Sequence, residues 1–303
     1  MTSWKIAAHA PKPVVQAALL AHDEIDNWDW EVIVSGREVD KDRPDEWVLE
    51  GWYPRKPSKA DKATLAALFA GGAPDLTVEP LPDEDWVTLS QQGVQPIRAA
   101  RFHVHTPDFP HDASPGTVNF AIPASQAFGT GQHATTAGCL AMLDLMKREG
   151  VVARNIADIG TGTGLLAFAA LALWPRAFAT ATDIDAVCVP VIEDNAASNG
   201  IPMGSGAGAV TMIVADGMDD PLIHARGPYD LLIANILAGP LIGLASDFAA
   251  HVPPGGHMLL AGLLETQEAD VRRACRKAGF RLARRLVNGD WSILWLRKRR
   301  MVR

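Results

Sequence analysis

Four short stretches of this 303-residue chain carry residue types suited to holding a nucleoside. In DIGTGTG, Asp158, Gly160, Gly162 and Gly164 follow an apolar, strand-like run and precede a helical pattern. Glycines let a backbone turn tightly and come close to a ligand, and the first turn of a helix presents unpaired N–H groups. The spacing is G-x-G-x-G rather than the G-x-G-x-x-G that cradles a dinucleotide pyrophosphate, which points to a nucleoside without bridging phosphates. A turn that is glycine-rich only for packing is the competing explanation. Asp183, in ATDID, stands 23 residues after Gly160, where a carboxylate can accept hydrogen bonds from a ribose diol. Asp185 is better suited to cap the next helix. Asp216, in VADG, is placed to meet an adenine amino group, with a plain Asp-Gly turn as the alternative. Asn235 ends the apolar run LLIAN, and an unsatisfied amide there is costly to bury, so its side chain is expected to face a crevice.

A fifth stretch, AIPASQAFGTGQHATTAGCL over residues 121–140, looks like a phosphate loop. It lacks the lysine that reaches terminal phosphates, since Gly131 is followed by Gln132 and His133. Thr135 and Thr136 open a helical pattern, where a simple helix cap competes with ligand contact. His133 has the chemistry of a base, but a structural loop histidine is the favoured reading.

The elements that must position these residues fall into two textures. Residues 1–82 read as strand (SWKIAAHA), helix (PKPVVQAALLAH), two strands (WDWEVIVSG and EWVLEGWYP), helix (SKADKATLAALFA) and strand (LTVEPL). That order predicts a small α+β unit of ferredoxin-like type. Residues 83–94 read as a linker, and 95–303 as a catalytic domain. There, after strand-like AARFHVHTP and the loop DFPHDASPGT, strands and helices alternate, as a doubly wound parallel sheet requires. Helix TQEADVRRACRKAGF and an antiparallel hairpin turning at NGD close the sheet. His103, His105 and His111 are assigned to a strand and a loop rather than to a metal.

Composition narrows the class further. A 48% hydrophobic content excludes disorder, and the three distant cysteines, Cys139, Cys188 and Cys275, suit a reducing cytoplasm and no zinc site. No signal peptide or membrane span is expected. The net charge of −7 is uneven: residues 1–115 hold 11 Lys/Arg against 19 Asp/Glu, and residues 116–303 hold 17 against 16. An acidic front suits a basic partner better than a nucleic acid. The basic tail, Arg297 to Arg300 with Arg303, is read as solvated rather than as an RNA contact.

DIGTGTG, DID and the Asn on the fourth strand resemble a class I S-adenosylmethionine-dependent methyltransferase. With AFGTGQHATTAGCL, IANILAGPL, PGGHMLLAGLLETQ and GDWSILWLRK, the chain resembles the ribosomal protein L11 methyltransferase (PrmA) family through most of residues 83–303, and more weakly in front. The resemblance implies a seven-stranded Rossmann-like domain and transfer of methyl groups from S-adenosylmethionine to lysine and N-terminal amines of L11. Cofactor contacts carried over fall on Thr136, Gly160, Asp183 and Asn235, with Phe128 covering the cofactor; Gly162 and Asp216 join them from the reading of the turns, and Asn235 is expected to orient the amine. With L11 as substrate, the acidic front is expected to dock it, against the alternative of a merely solvated acidic surface; a monomer with no stable nucleic-acid or membrane binding is expected. The chain departs from the family at Gln132-His133-Ala134 and where Ala186 replaces a proline after DID; Pro190 then suits a later helix start. Alternatives are a methyltransferase for another protein or small amine, a non-catalytic S-adenosylmethionine-binding ribosomal module, and a nicotinamide dehydrogenase, which the glycine spacing disfavours.

Overall fold

A computed structural model of the chain describes residues 3–23, 25, 28–29, 32–39, 43, 45–80, 96–123 and 134–300. The expected linker 83–94, Phe128 and His133 lie outside these residues. The chain divides into two units, Met1–Leu89 and Ser90–Arg303.

The first unit is built from β1 (Trp4–Pro11), α1 (Lys12–Asp23), β2 (Ile33–Glu38), β3 (Glu46–Tyr53), α2 (Lys59–Ala67) and β4 (Leu76–Pro80). Its four strands lie in the order β2-β3-β1-β4, with every neighbouring pair antiparallel. Strand β2 starts at Ile33, later than the sequence reading, and Trp28 instead donates its indole N–H to Val32 O at 2.9 Å. Ser58 opens α2 with a reciprocal capping box: its hydroxyl accepts from Asp61 N–H at 3.1 Å while Asp61 accepts from Ser58 N–H at 2.7 Å. Ile6, Ala8, Val15, Leu49 and Leu65 pack between sheet and helices.

The second unit opens with a three-stranded sheet, β5 (Ile97–Ala99), β6 (Phe102–His105) and β7 (Val118–Ala121). Helix α3 (Ala134–Arg148) then precedes the main sheet. Its core is β8 (Asn155–Ile159), α4 (Leu165–Leu173), β9 (Phe178–Asp183), α5 (Cys188–Ser198), β10 (Val210–Val214), α6 (Pro221–Arg226) and β11 (Leu231–Asn235). Two short helices, α7 (Ala238–Gly243) and α8 (Ala245–His251), lead to β12 (His257–Leu264), α9 (Glu268–Lys277), β13 (Phe280–Asn288) and β14 (Trp291–Lys298). The strand order is β10-β9-β8-β11-β12-β14-β13, parallel from β10 to β12 and antiparallel thereafter. This is a mixed α/β fold around a parallel-rich sheet. Both faces are covered, because residues buried on both sides of a parallel strand alternate between two cores. Leu231 and Ile233 face the cluster of α3, α4 and α5, whereas Leu232 and Ala234 face that of α6 to α9. No helix among the described residues is long and apolar enough to cross a membrane.

The late helix start expected from Pro190 is met, and one other expectation shifts. Helix α5 begins at Cys188, so Pro190 lies in its first turn, where the missing N–H costs no helical hydrogen bond. The chain before β8, read as one strand and a loop, contains strands of three and four residues, too short to show a period.

Gly262 carries a geometric constraint that reaches the site. At φ +83° it sits where β12 slips register against β14, and a Cβ there would lie 2.3 Å from the backbone oxygen of Ile236. Gly262→Ala should cost about 2–4 kcal/mol through left-handed strain and that overlap. In a thermal melt of the full chain, this corresponds to a fall of about 5–10 °C; a melting point within a degree of wild type would contradict the constraint.

Candidate functional site

The strand order reverses between β8 and β11, since β9 and β10 lie to one side of β8 and β11 and β12 to the other. Open α/β sheets bind ligands at such a point, beyond the carboxyl ends of the strands. Register sets those ends level: Ile159 pairs with Thr182 on one side and Ala234 on the other, so Gly160, Asp183 and Asn235 leave the sheet together.

The turn after β8 takes positive φ at Gly160 (+70°), Gly162 (+56°) and Gly164 (+83°). Packing explains two of the three. A Cβ on Gly160 would meet Ile236 at 2.3 Å, and one on Gly164 would meet Ile192 at 2.5 Å. Close packing thus accounts for the glycines at 160 and 164, and the backbone N–H of Gly162 makes the polar link. It donates to Asp183 Oδ2 at 2.9 Å, while Asp185 N–H donates to Asp183 Oδ1 at 3.2 Å. A carboxylate has about four lone-pair sites, so Asp183 keeps acceptor capacity on both oxygens. Asp185 caps the approach to α5 by accepting from Val187 N–H at 2.9 Å, as expected of it.

Across the crevice, Asn235 donates its amide N–H to Thr136 Oγ1 at 3.3 Å. Thr135 and Thr136 are buried inside the first turn of α3, so neither is its N-cap. Asp216 lies exposed after β10, in a turn tied to Asp183 by the Ala215 N–H donating to Asp183 O at 2.8 Å. The structure therefore joins Gly162 with Asp183, and Thr136 with Asn235, and places Gly160 beside the residue that follows Asn235.

Two groups near the crevice were not singled out as site residues from sequence. Asp158 is buried, with Oδ2 accepting from Thr161 Oγ1 at 2.7 Å and Ala167 N–H at 3.1 Å, and its Oδ1 has no partner. Burial, partly opposed by those bonds and helped by the charge of Asp183, raises its carboxyl from 3.8 to about 7. The threonines alternating with the glycines are its signal in the sequence. Cys188 lies against Asp183, and burial and that carboxylate push its thiol up to about 12, which removes it as a nucleophile. In the small sheet, His103 hydrogen-bonds Asn119 at 2.8 Å and His105 the carbonyl of Thr106 at 2.7 Å. Among the described residues, no group of three His, Cys, Asp or Glu is arranged to hold a metal.

A parallel-rich sheet of this strand order, closed by an antiparallel hairpin, is the fold of a Rossmann-like methyltransferase. A family model described as ribosomal protein L11 methyltransferase (PrmA) matches residues 19–299. A ribosomal protein L11 methyltransferase of Agrobacterium fabrum is 37% identical over 270 residues, covering 88% of this chain and 90% of the relative. One of Rhizobium etli is 39% identical over 256 residues, covering 84% and 85%. Among solved structures, a ribosomal protein L11 methylase from Lactobacillus delbrueckii subsp. bulgaricus superposes with a TM-score of 0.57 at 28% identity, covering 67% of this chain and 98% of its own. The chain belongs to the ribosomal protein L11 methyltransferase (PrmA) family.

The Asp158 shift has a definite sign. A folded-state pKa raised from 3.8 to about 7 means that the unfolded chain ionises first. Stability is then lost as pH rises from about 4 to 7, by an amount of order 4 kcal/mol at most. Asp158→Asn should lack this loss, so its stability relative to wild type should climb between about pH 4 and 7 in urea titrations and level off above. A relative stability that stays flat over that range would show Asp158 to be ionised throughout.

Proposed function

We propose that this chain transfers methyl groups from S-adenosylmethionine to amines of ribosomal protein L11, at lysine side chains and the α-amino terminus, in the cytoplasm. The observation that carries the reading is the grouping of Gly162 with Asp183 and of Thr136 with Asn235 at the reversal point of the sheet. The residues fit the cofactor: Asp183 retains acceptors for two ribose hydroxyls, and Asp216 offers one for an adenine amine. The carboxylates of Asp183 and Asp216 at the strand ends, with one oxygen of the buried Asp158 left without a partner behind them, suit a cationic sulfonium. Gly160 and Gly162 bring backbone against the nucleoside, Thr136 meets the methionine end, and Phe128 keeps the covering role implied by the resemblance.

Bound there, S-adenosylmethionine would supply an electrophilic methyl carbon, open to in-line attack by a neutral amine with the neutral thioether as leaving group and no covalent enzyme intermediate. Freeing a lysine of its proton at pH 7 costs about 4–5 kcal/mol from a pKa near 10.4. Exclusion of water lowers that cost, because burial disfavours the ammonium form. Asn235, its amide N–H engaged by Thr136, orients the amine through its carbonyl oxygen.

The front unit, residues 1–82, is assigned to substrate docking, with 83–94 as linker and 95–303 as the catalytic domain. Its strand order and connectivity support a ferredoxin-like type. Its acidity suits a basic ribosomal protein. A cavity of about 210 Å³ lined by Trp28, Tyr53, Asp29 and Asp61 combines aromatic faces with carboxylates, as alkylammonium recognition requires. The hydrogen bonds of Arg55 hold Asp61 well below the usual carboxylate range, so the negative charge persists there.

Purified chain, L11 and S-adenosylmethionine should give L11 species heavier by whole methylene increments in intact-mass spectra. Asp183→Ala should weaken cofactor binding about 10- to 100-fold, the loss expected for hydrogen bonds to a charged acceptor. Removal of residues 1–82 should spare cofactor affinity and abolish L11 methylation. Methylation by the truncated chain would refute docking; unaltered affinity in Asp183→Ala would refute the ribose contact.

A further inference from the structure

Charge is segregated along the chain more sharply than its halves suggest. Residues 1–267 hold 16 Lys/Arg against 32 Asp/Glu, whereas residues 268–303 hold 12 against 3, so a chain of net charge −7 ends in a stretch of +9. The fold gathers that stretch at one margin of the seven-stranded sheet, where β13 is the edge strand, β14 its neighbour and α9 the helix leading into it.

The arginines there fall into two groups. Toward the hairpin turn, Arg284 pairs with Glu149 at 2.9 Å, and Arg285 pairs with Glu265 and Glu268 at 2.6 Å each. At the opposite end, Arg276, Arg281, Arg297 and Arg299 have no carboxylate within ion-pair distance among the described residues. These unpaired cations are crowded. Arg281 stands directly opposite Arg297 in the β13–β14 ladder, where like charges destabilise a sheet. Arg299 is held alongside through its N–H, which donates to Gly279 O at 3.1 Å. Arg281 reaches back to donate to Phe280 O at 2.7 Å and Arg276 O at 3.4 Å. Desolvation and the charges of Arg299 and Arg276 lower the pKa of its guanidinium. Between α9 and the strands runs a cleft of about 510 Å³, walled by Arg272, Arg273 and Arg276 on one side and Arg281 on the other, over Leu282 and Leu296.

Guarding an edge strand needs only a few charges, and the paired Arg284 and Arg285 already provide them. Concentrating unpaired guanidiniums nearby adds repulsion that the fold alone does not require. We propose that this arginine margin binds the phosphate backbone of RNA. Guanidinium forks match phosphate oxygens in bidentate geometry, and a polyanion relieves the crowding. An anionic membrane fits less well, because Leu286 is the one large exposed apolar side chain among described residues 268–300, leaving little to insert. A protein partner would call for apolar anchors at the centre of the patch, which a phosphate backbone does without. The inference goes beyond the methyltransferase reading and is measured without cofactor, so failure of either leaves the other standing.

The test is fluorescence anisotropy of a short labelled RNA hairpin with the full chain over a series of salt concentrations. Wild type should bind with a slope of log affinity against log salt near −3 to −5, about four to six neutralised phosphates at roughly 0.7–0.9 each. Arg276→Glu/Arg281→Glu/Arg299→Glu should bind at least about tenfold more weakly, as loss of several phosphate contacts requires, with cofactor affinity unchanged. Because three reversals can disturb the edge, Arg299→Gln alone should make the slope shallower by about one with an unchanged melting temperature. The proposal is overturned by absent binding at low salt, by equal affinity in the triple variant, by tighter binding to anionic vesicles or polyglutamate than to RNA, or by self-association that replaces RNA binding.

Discussion

The hydrogen bond from the Gly162 N–H to the Asp183 carboxylate is the point on which the catalytic unit turns. It fastens the loop after the first strand of the parallel sheet to the end of the second, and it exists because the backbone passes three times through positive φ between Gly160 and Gly164. Side chains other than glycine resist that path. Once the loop is held, α4 starts at Leu165 against the sheet, and the Asn195 side chain on α5 donates to Thr163 O at 2.9 Å, bracing the turn from behind. On the far side of the reversal point, α3 brings Thr136 to Asn235. The small sheet is tied to the same framework, since Asn199, just beyond α5, exchanges hydrogen bonds with the backbone of Ala121 at 2.8 and 2.9 Å.

Acidic side chains gather at this end of the sheet. Asp158 and Asp183 lie near the carboxyl ends of neighbouring strands and Asp185 and Asp216 just beyond strand ends, and Asp158 is buried with one oxygen unpartnered. Burial, helped by the charge of Asp183, raises the carboxyl of Asp158, a cost that a cation in the crevice would offset. An anionic dinucleotide would instead add to it. The opposite sign is concentrated at the margin of β13, so a single sheet presents an acidic crevice and a basic edge.

Much of this was legible in the residues. Five-residue apolar runs such as NIADI and LLIAN, each ending in a turn or an amide, marked strands and the ends where ligands bind. What was missed has physical causes. Strands β5 and β7 are too short for periodicity to register. The roles of Gly160 and Gly164 depend on Ile236 and Ile192, side chains distant in sequence whose approach only the fold reveals. Asp158 reads as part of the glycine turn, and only the fold reveals that it is buried with one oxygen unpartnered. The +9 stretch was hidden by counting charge over halves, which averaged it against acidic neighbours.

The central claim is that the two residue pairs at the reversal of the sheet form one nucleoside site. A crystal structure of the full chain with S-adenosylhomocysteine addresses it most directly. The ribose hydroxyls should lie about 2.6–3.0 Å from the oxygens of Asp183, with the amino-acid end toward Thr136 and Asn235. A ligand seated elsewhere, with Asp183 still engaged only by the N–H groups of Gly162 and Asp185, would contradict it.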